Sequence, residues 1–145
     1  MIALDTNLLV YAHRSGLPEH RGARRAIEQA SRDARGWGIT IASVAEFWSV
    51  VTHPESRGGP SKAAQASAFM EALSAAGART WLPGEGFADR LLAVAGRLGV
   101  QGPRIFDLQI ALTAFDNGAA ELWTHDSRFV ALPGLRIHDP LTRLP

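Results

Sequence analysis

The sequence predicts an α/β fold: a parallel sheet covered by helices on both faces. Three observations carry that expectation. Short apolar runs of strand type alternate with segments of helical periodicity along the chain, and such alternation builds strand–helix–strand units. The helical segments stop at Pro54, Gly77, Gly99 and Asn117-Gly118, residues that end helices through a missing amide or a left-handed cap. No internal repeat, low-complexity tract or long linker interrupts the 145 residues, so a single domain over 1–145 is expected.

Ile2-Ala3-Leu4 reads as the first strand, with a helix from about Leu8. The run LPEHRGARRAIEQASRDA reads as a helix with Ala23, Ala26, Ile27 and Ala30 inward, ending near Gly36. GITIAS is a buried strand, and SVAEFWSVVTHP a helix stopped by Pro54. In PSKAAQASAFMEALSAAG, Ser61 is the start signal and Gly77 the stop. RTWL is a short strand, EGFADRLLAVAGRLG a helix closed by Gly99, and RIFDLQIALTAFDNG a helix ending at Asn117-Gly118. AELWT and LRIH supply the last strands.

Composition excludes several classes. Hydrophobic content of 46% and charged content of 20% are ordinary for a globular chain. No apolar run approaches the ~18 residues that cross a bilayer. The first residues lack a basic segment followed by a long apolar one, so a cytoplasmic protein is expected. There is no cysteine, which removes disulfides, thiolate zinc sites and thiol nucleophiles together. The sequence has no P-loop and no G-x-S-x-G elbow, and GEGFAD at 84–89 is not a dinucleotide-binding turn. The net charge is +1, yet all basic residues but Lys62 are Arg. Arg suits bidentate phosphate contact, and a GC-rich genome gives the same bias.

Open α/β sheets place ligands beyond the carboxyl ends of their strands, and four acids fall there. Asp5 follows the first strand, Glu46 lies one turn into the helix after the second, and Asp126 follows LWTH. Asp107 lies near the start of the preceding helix, and each acid is set in an apolar segment. Each also has a structural explanation. Asp5 fits an N-cap, and Ser43-Val44-Ala45-Glu46 fits a capping box, which leaves capping and metal binding equal for Glu46. Asp107 suits a helix start through the macrodipole, and Asp126 could cap the turn at Ser127-Arg128-Phe129. Those explanations need four coincidences at one sheet edge, whereas a shared site needs one. Oxygen donors without cysteine or a His-x-x-x-His helix suit a hard cation such as Mg2+. Such an ion in a carboxylate cleft points to phosphodiester hydrolysis.

LDTNLLVYA, ASVAEFWSVV, DLQIALTAFDNGA and LWTHDSRF, in this order and with the LPGLRIHDPL ending, resemble the PIN-domain ribonucleases, above all the VapC-type toxins of toxin–antitoxin pairs. The resemblance spans nearly the whole chain. It implies a Rossmann-like PIN fold and an endoribonuclease using Mg2+ or Mn2+, with structured RNA such as tRNA or rRNA as substrate. It also implies a homodimer and a small VapB-like antitoxin that inserts into the acidic cleft, often presenting Arg. By position, Asp5, Asp107 and Glu46 match the acids tied most directly to metal, and Asp126 the fourth. Thr124 matches a supporting hydroxyl, and Asn7 the polar residue that orients the first Asp. The chain departs from many relatives in having Arg128 rather than Asp before the final Phe129, which bears on a second metal. A PIN-like module that binds RNA or protein without cutting is the alternative, and a magnesium phosphatase or DNA nuclease on a similar sheet is a third reading.

Arg104, close before Asp107, is placed to touch substrate or to neutralise the acids. Arg21, Arg25, Arg32 and Arg35 share a helical spacing that reads as an RNA track or as a solvated face, the latter favoured. His125, beside Asp126, reads as a group that positions substrate or shuttles a proton, or as a neighbour with no chemical role, the latter favoured. The four Trp residues read as core or interface rather than base-stacking platforms.

Overall fold

The computed structural model describes residues 1–142. Its strands are β1 (Ile2–Leu4), β2 (Trp37–Thr40), β3 (Arg79–Trp81), β4 (Glu121–Trp123) and β5 (Arg136–His138). Its helices are α1 (Thr6–His13), α2 (His20–Ser31), α3 (Ile41–Thr52), α4 (Ala63–Ala75), α5 (Phe87–Leu98) and α6 (Arg104–Asp116). The five strands form one sheet in the order β3-β2-β1-β4-β5, and every pairing is parallel. The expected α/β architecture is present.

Alternation along β1 explains the two layers, because successive side chains in a strand point to opposite faces. Ile2 and Leu4 enter a core with Leu8, Leu9, Phe47 and Trp37, covered by α1 to α4. Ala3 enters the other core with Leu108, Leu112 and Val94, covered by α5 and α6. Ala23, Ala26 and Ala30 of α2 are buried as the periodicity predicts, and small residues let that helix lie close to its neighbours. Trp37, Trp81 and Trp123 are core residues, whereas Trp48 stands exposed. Gly38 is needed in β2: a Cβ there would sit 2.5 Å from the Arg79 carbonyl oxygen. Gly99 closes α5 in the left-handed conformation at φ 66°.

Several boundaries differ from the sequence reading. Helix α1 begins at Thr6, directly after Asp5, rather than near Leu8. The second strand stops at Thr40, because the Thr40 hydroxyl oxygen accepts the Ser43 amide and starts α3 at Ile41. Lys62 rather than Ser61 holds the cap position of α4, and the Ser61 hydroxyl meets His13 Nε2 at 2.9 Å instead. Helix α2 ends at Ser31, so Arg35 lies outside it. Arg32 pairs with Glu28, and Arg35 with Asp33 and Glu121, which accords with the solvated-face reading. Among the described residues, no helix is long and apolar enough to cross a membrane.

Candidate active site

The chain runs outward from β1 through β2 to β3, then returns to β4 on the other side of β1. This reversal opens a crevice between β1 and β4 at their carboxyl ends, the position where such sheets bind ligands. Asp5 leaves β1 there and Thr124 leaves β4. The Asp5 amide bonds the Trp123 carbonyl at 3.0 Å, and the Thr124 amide bonds the His138 carbonyl at 2.9 Å.

Asp5 is only 7% exposed. Its Oδ1 accepts the Thr6 amide at 2.8 Å, and its Oδ2 accepts the Thr124 hydroxyl at 2.7 Å. It therefore does occupy the cap position of α1, with a second oxygen turned to the crevice network. Burial, followed by the charges of Glu46 and Asp107, pushes its carboxyl up to about 6, and the two hydrogen bonds offset only part of that rise. A carboxylate so situated favours a nearby cation.

Thr124 is the hub of the crevice. While donating to Asp5, its oxygen accepts Asn7 Nδ2 at 3.1 Å and the Asp126 amide at 3.1 Å. A hydroxyl has one proton and two lone pairs, so all its capacity is used. Asn7 in turn accepts the His125 amide at 3.4 Å through Oδ1. Asn7 and Thr124 thus tie the start of α1 to the end of β4.

Asp126 Oδ1 accepts the Arg128 amide at 2.9 Å. That bond, and then the Arg104 guanidinium, hold the Asp126 carboxyl below its ordinary value against the effect of burial. Arg104 Nη1 donates both to Asp126 Oδ2 at 3.1 Å and to Asp107 Oδ2 at 2.8 Å. Arg104 and Asp107 are the first and fourth residues of α6, and that spacing puts them on one helix face. Glu46 is exposed, and its charge is felt at Asp5. With Thr40 as cap, Glu46 is the sixth residue of α3 rather than the third, so the capping box that competed for it does not form.

The donor chemistry fits a hard divalent ion, since Asp107 and Asp126 offer carboxylate oxygens alongside those of the buried Asp5. Thr6 Oγ1, on the residue beside Asp5, is the buried side-chain polar atom without a hydrogen-bond partner among those described. As the side chains stand, with Arg104 bridging two of the acids, no three His, Asp or Glu among the described residues converge closely enough to hold one ion.

Asp139 escaped the sequence reading. Its Oδ2 meets His125 Nδ1 at 2.9 Å and accepts the Thr142 hydroxyl at 2.7 Å. Burial opposes its ionisation, but bonds from Thr142, Leu141 and His125 outweigh burial and lower its carboxyl from the ordinary value. The signal was available: Asp139 follows β5 directly, as Asp5 follows β1. Tyr11 completes this rim, its ring edge-on to His125 at 6.1 Å.

Comparison with known proteins gives concordant matches. A family model described as PIN domain matches residues 2–135. Ribonuclease VapC43 of Mycobacterium tuberculosis is 33% identical over 142 residues, 97% of this chain and 96% of the relative. Among solved structures, VapC20 of Mycobacterium tuberculosis, described as a sarcin-ricin loop cleaving toxin, aligns with a TM-score of 0.68 and 15% identity over 89% of this chain and 92% of its own. VapBC2 of Rickettsia felis, solved on a DNA fragment from its promoter, aligns with a TM-score of 0.66 and 20% identity over 96% and 98%. At those identities the two structures speak to the fold alone.

Proposed function

Because the chain belongs to the PIN-domain family, we propose that it is an endoribonuclease that hydrolyses RNA phosphodiester bonds, the toxin of a toxin–antitoxin pair. The observation that carries this reading is the placement of Asp5: a buried carboxylate at the β1–β4 crevice, raised to about 6 and neighboured by Glu46 and Asp107. A module that only bound RNA has no use for a carboxylate buried beside two other acids.

In this reading Asp5, Glu46, Asp107 and Asp126 hold Mg2+ or Mn2+. Such an ion supplies a water of lowered pKa and positive charge beside the scissile phosphate. Thr124 keeps the Asp5 carboxylate fixed in the crevice and, through the Asp126 amide, sets the turn that carries Asp126. Asn7 fixes the Thr124 hydroxyl so that its proton points at Asp5. Arg104 brings a guanidinium to the same edge, a group whose geometry suits an RNA phosphate.

Two surfaces support the expected partners. Ile41, Ala45 and Trp48 lie along one exposed face of α3, with Phe106 exposed in the first turn of α6. That apolar stripe suits a second copy of the chain. Between α1, α2 and α4 lies a groove of about 620 Å³ with Ala12, Ile27, Phe69 and Leu73 as its floor and Arg24, Arg25 and Glu28 among its lining. An amphipathic antitoxin segment fits such a groove. The seat that Arg104 occupies between Asp107 and Asp126 also suits an antitoxin arginine.

The test is cleavage of total cellular RNA by purified protein with Mg2+ or Mn2+, beside Asp5→Asn and an EDTA control. Discrete fragments that vanish in both controls support the reading, and sequencing their ends identifies the RNA. Fragments that persist in Asp5→Asn would refute the site assignment. No cleavage by folded, antitoxin-free protein would favour a binding module.

A further inference from the structure

Hydrolysis by carboxylates and a divalent ion does not require a guanidinium lodged between two of those carboxylates, yet Arg104 is lodged there. We propose that Arg104 is a built-in counter-ion: it neutralises the Asp107–Asp126 side of the crevice when no metal is bound, and a divalent ion enters by displacing it. This rests on the reading of Asp5, Asp107 and Asp126 as the metal acids, and adds to it a competitor supplied by the chain itself.

The geometry of the bridge argues for a displaceable cation. One nitrogen, Nη1, makes both contacts, at 2.8 Å to Asp107 and 3.1 Å to Asp126, while Nε and Nη2 meet no partner among the described residues. Arg90 shows what a fixed pair looks like in the same molecule: its Nε and Nη2 both grip Asp116, at 2.9 and 2.7 Å. A two-point fork resists rotation, whereas a guanidinium held at one nitrogen can swing away about its long side chain. The Arg104 side chain is 34% exposed, so a path to solvent exists.

Electrostatics gives the reason for a counter-ion. Asp5, Glu46, Asp107 and Asp126 gather at one edge, and in the described residues Arg104 is the side-chain cation paired with any of them. Arg128 offers Asp126 its backbone amide rather than its side chain. Without Arg104, Asp107 and Asp126 would face each other without compensation and would draw a divalent ion more strongly.

The experiment is Mn2+ binding to the purified, metal-stripped chain, measured by calorimetry and by the spin-resonance signal of free Mn2+. It compares wild type, Arg104→Gln, Arg104→Lys and Asp5→Asn, with thermal unfolding of each metal-free protein. Arg104→Gln is expected to bind Mn2+ about three- to tenfold more tightly, the scale of a partly exposed ion-pair network, and to melt lower without metal. Arg104→Lys, which keeps a cation and so guards against misfolding, falls between the two. Adding guanidinium chloride at about 50 mM to Arg104→Gln, against equal sodium chloride, weakens Mn2+ binding toward the wild-type level. If Asp5→Asn abolishes binding while Arg104→Gln binds Mn2+ equally or more weakly than wild type, the counter-ion role is overturned and the metal site stands. Wild type that binds no Mn2+, or binding untouched by Asp5→Asn, overturns the metal reading and this inference with it.

Discussion

Replacing Asp5 by Asn should change how the stability of the metal-free protein depends on pH. The rise of the Asp5 carboxyl from 3.8 to about 6 corresponds to about 3 kcal/mol, at about 1.4 kcal/mol for each pH unit. The folded chain holds this proton more tightly than the unfolded chain. Stability from this group is therefore fully present below about pH 4 and is lost as pH rises through about 6. Asparagine removes the titration. Its carbonyl keeps the Thr6 amide bond, but its amide faces the Thr124 hydroxyl, which needs an acceptor. That mismatch costs roughly 1–3 kcal/mol at every pH. The stability difference between the variant and wild type should thus move by about 2–3 kcal/mol in favour of Asp5→Asn between pH 4 and 7.5, whatever its starting value. Urea unfolding in EDTA, followed by tryptophan fluorescence, measures it, and titrations common to both proteins cancel. A difference constant to within about 0.5 kcal/mol, near the precision of the method, would refute the argument that Asp5 is strained by burial and its acidic neighbours. Adding Mg2+ at pH 7.5 should stabilise wild type and leave Asp5→Asn nearly unmoved.

Thr124→Val keeps the shape but strands Asp5 Oδ2, the Asn7 amide and the Asp126 amide; a loss of roughly 2–4 kcal/mol is expected, with RNA cleavage falling in parallel. Thr124→Ser should retain most of both, as urea unfolding and a cleavage assay on the same preparations will show. Gly38→Ala drives a methyl to 2.5 Å from a backbone oxygen in β3, so differential scanning calorimetry should show roughly 1–3 kcal/mol of destabilisation with unchanged chemistry at the crevice. Trp48→Glu places a charge on the exposed face of α3. For the proposed homodimer, light scattering should then fall from twice the chain mass of 15.6 kDa to the single value while circular dichroism stays the same.

The acids were legible because the rule for open parallel sheets needs only element order, and element order follows from hydrophobic period. Asp5 and Asp126 stand immediately beyond β1 and close beyond β4, where that rule puts a ligand. The bonds that link them are not legible in the sequence. Thr124 reaches Asp5 across 119 positions of sequence, and local pattern carries no trace of such a contact; only the likeness to a family pointed to Thr124 at all. Asp139 obeys the same strand-end rule, but the LRIH segment signals a strand without signalling that it ends beside His125.

Glu46 shows how a local misreading can conceal a carboxylate whose charge reaches the crevice. From the sequence, Ser43 and Glu46 satisfy a capping box, and GITIAS reads as unbroken strand because a buried parallel strand and the first turn of a buried helix are equally apolar. The tie is broken by tertiary structure: Thr40 ends the interior strand β2, pairs in register with Trp81, and turns its hydroxyl to the Ser43 amide. Moving the cap by three residues removes any capping work from Glu46. That leaves Glu46 as an exposed carboxylate on α3 whose charge bears on the buried Asp5. The same residues that suggest a capping role for Glu46 in the sequence withdraw it in the fold, and what remains is its charge acting on Asp5.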